Sequence, residues 1–100
     1  MMTTYVMLTK LSAEALKRPQ AVEELGKEVS QKLKAQLPQV KWLASYSLLG
    51  PYDYLDVFEA PDERAASQAA LIVRSFGHAT TETWTAIPWD RYLGLVKEIS

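Results

Sequence analysis

Apolar and polar positions along the chain switch period several times, and each switch predicts an element. Thr3 to Leu11 alternates and is rich in Tyr, Val, Met and Thr, which predicts a strand. Ser12 to Arg18 reads as a connector with room for one helical turn. Pro19 then stands where a helix accepts proline, at its first position, where the missing N–H costs nothing. Val22, Leu25, Val29, Leu33 and Leu37 follow at spacings of three and four, one helical stripe that Pro38 ends. Val40 to Leu49 predicts a second strand, with Trp42, Ala44, Tyr46 and Leu48 on one face. Tyr54 to Ala60 predicts a third, with Tyr54, Asp56 and Phe58 on one face and Leu55 and Val57 on the other.

Pro61-Asp62 opens a second long helix, since Asp62 can accept from free N–H groups of the first turn. Ala65, Ala69, Ile72, Val73 and Phe76 form its buried stripe, and Gly77 suits its end. Thr80 to Ile87 alternates and predicts a fourth strand, which Pro88 breaks. Trp89 to Ile99 predicts a last helix, with Trp89, Tyr92, Leu93, Val96 and Ile99 on one side. The order β-α-β-β-α-β plus a helical tail is the split βαβ, ferredoxin-like arrangement. It is an α+β fold with an antiparallel four-stranded sheet.

Leu49-Gly50-Pro51-Tyr52-Asp53-Tyr54 joins two strands that are adjacent in sequence. Pro51 presets φ for a turn, Gly50 relaxes the backbone before it, and Asp53 is expected to bond neighbouring N–H groups. The stretch GPYDYLDVFEAPDERAA resembles the signature of GYD-domain proteins: Gly50, Tyr52 and Asp53, an apolar strand, Glu59-Ala60-Pro61-Asp62, and an Ala-rich helix. The likeness runs on through Gly77 and its threonines and back to the first strand. The resemblance implies a ferredoxin-like domain of the dimeric α/β-barrel type. It implies no general reaction, although by analogy of fold alone such barrels include cofactor-free oxygenases and isomerases. Asp56 departs from the pattern, standing where relatives are continuously apolar.

One hundred residues make a single expected domain, 1–100. A net charge of −1 gives no nucleic-acid footprint. No stretch approaches the ~20 apolar residues of a membrane span, and the start has no basic leader before a long apolar block. With no cysteine, disulfides, zinc–thiolate sites and thiol catalysis drop out together. A cytoplasmic protein without metal or cofactor is expected.

Both helices of such a fold cover one face of the sheet, and the other face is ordinarily polar. Here both parities are apolar. Val6, Leu8, Leu55 and Val57 read as the helix-facing set. That leaves Tyr5, Met7, Trp42, Tyr46, Tyr54, Phe58 and Trp84 on the reverse. Five of these rings, at about 150–250 Å² each, present on the order of 700–1,200 Å² before mutual covering, against about 300–600 Å² for the largest patch on a typical monomer. Such a face needs a partner or the C-terminal helix folded across it; that helix is short enough to cover only part, and a homodimer joined sheet face to sheet face is expected.

A small, partly apolar molecule held against the sheet gives the leading functional reading, with Tyr5, Tyr46, Asp56, Glu82 and Trp84 as candidate ligand contacts. If the protein is instead a small enzyme acting on an aromatic or carbonyl compound, Asp56 or His78 is the candidate base and Tyr46 the hydrogen-bond donor. A structural dimer with a filled interior is the third reading. No nucleophile motif and no phosphate-cradling glycine loop occurs.

Overall fold

The computed structural model describes residues 1–100. Its elements run β1 (Thr3–Leu11), α1 (Ala13–Leu16), α2 (Pro19–Gln36), β2 (Lys41–Ser47), β3 (Tyr54–Ala60), α3 (Glu63–Ser75), β4 (Ala79–Ala86) and α4 (Trp89–Glu98). The strands form one antiparallel sheet in the spatial order β2-β3-β1-β4. This is a ferredoxin-like α+β fold, with α2 and α3 on one face.

The punctuation works as its chemistry requires. Pro19 is the first residue of α2. Asp62 accepts from the Ala65 N–H at 2.9 Å and caps α3, and Gly77 after that helix takes φ +78°, a left-handed conformation glycine adopts without strain. Gly50 differs: its φ is not positive and a Cβ there would meet open space. Neither conformation nor packing in this chain demands glycine at that position.

The core reverses the expected faces. Tyr5 and Met7 of β1 and Phe58 of β3 point to the helices and meet Leu33 and Leu37 of α2 and the alanines of α3. Phe58 is wholly buried and lies in a row of rings across three strands, 4.9 Å from Trp42 and 5.5 Å from Tyr5 between centroids. The physical reason is complementary size. Ala65, Ala66, Ala69 and Ala70 leave α3 almost smooth, so the bulk that fills the layer comes from rings on the sheet. Val6, Leu8, Leu55 and Val57 therefore occupy the open face, where Trp84 stands opposite Val6. An irregularity between Trp42 and Ala44 shifts the register of β2. Trp42 consequently pairs with Phe58 on the core side, while Tyr46 pairs with Leu55 on the open side.

The C-terminal helix does not close that face. All ten residues of α4 are exposed, although one side of it is apolar. Pro88, in an extended conformation, leads β4 straight into α4.

Candidate functional site

The two helices on the core face sit differently. Alanines let α3 lie close to the sheet, whereas only the C-terminal half of α2 is anchored, through Leu33 and Leu37. Its N-terminal half, carrying Val22 and Leu25, stands over a cleft of about 880 Å³ that Val29 also lines. The floor comes from Thr9 and Leu11 of β1, Trp42 and Ser45 of β2, and Tyr54 and Asp56 of β3. Gly26 faces the cleft from the middle of α2, and a Cβ there would meet nothing within 4 Å. A glycine inside a helix costs about 1 kcal/mol against alanine, and here the space that glycine leaves is empty.

Asp56 is the charged group on this floor. Its Oδ1 accepts from Ser45 Oγ at 2.5 Å and from Trp42 Nε1 at 3.1 Å. Ser45 stands directly across from Asp56 in the ladder. No lysine or arginine pairs with the carboxylate: the chain's one ion pair joins Lys27 to Glu23 on the surface of α2. Neither Ser45 nor the indole of Trp42 was recognisable as a partner in the sequence, because their approach depends on the register shift in β2. Tyr54 lies near Asp56 in the same cleft, and its phenol pKa is raised above the ordinary value by burial first and by the charge of Asp53 second.

The other candidates are divided among three places. His78 is exposed and borders the cleft. Tyr46, 59% exposed, meets the cleft from the edge strand while its ladder position faces the open side. Tyr5 lies in the core beneath Phe58. Glu82 and Trp84 are on β4, where Trp84 Nε1 donates to Glu82 Oε1 at 3.3 Å.

The Gly-Pro-Tyr-Asp loop is a clasp. Contrary to the expectation from sequence, the Asp53 side chain does not bond its own turn: its Oδ2 accepts from the Leu11 N–H at 2.8 Å. Its backbone N–H donates to Thr9 O at 2.8 Å, and its carbonyl accepts from Leu48 N–H at 2.9 Å. The ladder between β1 and β3 ends at Thr9 and Tyr54, so the carboxylate supplies the acceptor that the departing backbone no longer offers. Leu11 is buried, and leaving its N–H without a partner costs about 1–3 kcal/mol. Tyr52 reaches over to β4, where its hydroxyl donates to Glu82 Oε2. Together the two residues tie the β2–β3 loop to the ends of β1 and β4.

The Tyr52 contact has a pH signature. The hydrogen bond to Glu82 raises the Tyr52 pKa, and desolvation and the carboxylate's charge push the same way. The folded chain thus favours the neutral phenol. Whatever stability the contact adds is present below the unfolded tyrosine value of about 10 and is lost as pH rises through the higher folded value. Absorbance titration should show Tyr52 ionising late, and Glu82→Gln should move it back toward the ordinary value. In denaturation as pH rises past the unfolded tyrosine value of about 10, Tyr52→Phe should lack this part of the decline.

Comparison with known proteins adds three findings. Residues 5–96 match the family described as the GYD domain, the family that the stretch around Gly50, Tyr52 and Asp53 resembles in sequence. A protein of Thermus thermophilus described as "Glutamine synthetase and cystathionine beta-lyase binding protein" is 38% identical over 91 residues, covering 87% of this chain and 90% of that one. Among solved structures, a Dabb-family protein with a ferredoxin-like fold from Mesorhizobium loti aligns at 13% identity with a TM-score of 0.49, covering 87% of this chain and 96% of the other. No helix of the chain is long and apolar enough to cross a membrane.

Proposed function

Because this chain belongs to the GYD-domain family, we propose that it is a homodimeric, cytoplasmic binding module that attaches to other proteins, enzymes among them. The observation that carries the protein-binding reading is the likeness to the Thermus protein, 38% identical over 87% of this chain and described as binding two enzymes. Self-association is supported by two apolar surfaces that do not meet within one chain: the open sheet face and α4. A second copy related by a two-fold axis covers both at once, since such an interface uses the same patch on each subunit. Purified glutamine synthetase and cystathionine β-lyase from the same organism test the reading directly. Retention of either on the immobilised chain at micromolar concentration is the expected result; retention of neither overturns it.

A second reading, a small and partly apolar ligand, is favoured by the cleft beneath α2. The open space favours it over a structural dimer with a filled interior. Catalysis in the cleft has weaker support, because Tyr46 meets it only from the edge strand and His78 stands exposed at its border.

A further inference from the structure

The geometry points to an amine-recognition site: the cleft between α2 and the sheet takes a small molecule with a cationic amine head on an apolar body, the head on Asp56 and the body beneath Val22, Leu25 and Gly26. This rests on the ligand reading of the cleft and names the chemistry of the ligand.

Three observations on different elements converge. The first concerns Asp56, half-buried on the central strand β3. A half-buried carboxylate with no counter-ion in its own chain has charge to spare for a cationic partner. Here Oδ1 is fixed by Ser45 and the Trp42 indole, while Oδ2 has no hydrogen-bond partner and no cation of the chain is paired with it. One oxygen is used to hold the group in place and the other is left to accept. Ammonium is the complementary head, because a charge-assisted N–H···O⁻ bond is stronger than a neutral one. A carboxylate or phosphate head would be repelled by the same oxygen.

The second observation is the wall opposite. Val22 and Leu25 face the cleft half-buried, while Val29 packs against the core at the cleft's inner end. That is the apolar lining with one placed polar group that small-molecule sites show. The third is Gly26, on the same side of α2, which leaves room for a ligand against the helix backbone. Lys34 and Lys41 border the cleft but are exposed and unpaired, so they lie toward solvent.

The test uses three probes of one shape: phenethylamine, phenethyl alcohol and hydrocinnamate, titrated against the full chain by calorimetry and by amide NMR shifts. The amine is expected to bind at least about tenfold tighter than the alcohol, with hydrocinnamate weakest. Asp56→Asn should abolish the preference for amine over alcohol. Gly26→Phe should block all three probes while keeping the fold, since its side chain starts in open space and helix propensity rises. Equal binding of amine and alcohol, or tightest binding of hydrocinnamate, would overturn the amine assignment and leave the ligand reading standing. Failure of every probe to shift any cleft residue in the parent chain would end both.

Discussion

Phe58→Ala should cost about 3–5 kcal/mol of folding stability, measured by chemical denaturation, out of the roughly 5–15 kcal/mol that hold a domain together. The side chain is fully buried and stacked between Tyr5 and Trp42, so its removal takes away one ring and the partner of two others. Little can collapse into the space. Below are the alanines of α3, which have no side chain to extend, and Leu33 and Leu37 already grip the one anchored end of α2. Val57→Ala, one residue earlier and on the open face, should give the smaller loss because Val57 is only half-buried. If Val57→Ala proved the more damaging to the isolated subunit, the assignment of faces would be wrong.

That pair of substitutions bears on what the sequence could and could not disclose. The elements were legible because their ends carry residues with one physical reading each: Pro19, Pro38, Asp62, Gly77 and Pro88. Helical and alternating periods between them then named the type. Which face of the sheet lies under the helices was not legible. Alternation separates Tyr5, Met7 and Phe58 from Val6, Leu8 and Val57, but both sets are apolar, so the pattern does not rank them. The deciding feature is the shape of the partner, the smooth alanine surface of α3, which favours rings opposite it. The site was half legible for a related reason. Asp56 stood out as a charge in an apolar strand. Its partners Ser45 and Trp42 did not, since one irregularity in β2 brings the indole and the hydroxyl to the same carboxylate while sending Tyr46 to the other side. Asp53 was read as a turn residue because local bonding is its common use; its actual acceptor role is 42 residues away in sequence, at Leu11.

The reversal of faces moves Phe58, Trp42 and Tyr54 to the helix side, so the case for a dimer now rests on Trp84, Tyr46, the aliphatic residues of the open face and the exposed α4, and Trp84→Asp tests it. Trp84 is 53% exposed opposite Val6, so the isolated subunit has little to lose at this position. In a face-to-face pair the same position, on the edge strand β4, lies beside Val6 on the open face with Val57 one strand further in. The exposed apolar side of α4 adds to this surface, and a standard interface takes about 800 Å² per partner. A carboxylate there would enter the interface unpaired, and a buried polar group without a partner costs several kcal/mol. At about 1.4 kcal/mol per tenfold, that weakens association by a hundredfold or more. Sedimentation at micromolar concentration should therefore show a dimer for the parent chain and a folded monomer for Trp84→Asp. Truncation before Trp89 should weaken the dimer as well without unfolding the subunit, because none of α4 is buried in its own chain. A parent chain that sediments as a monomer, or a dimer indifferent to both changes, would require another cover for the open face. The sheet would then be the surface offered to an enzyme partner, and Trp84→Asp should abolish retention of that enzyme instead.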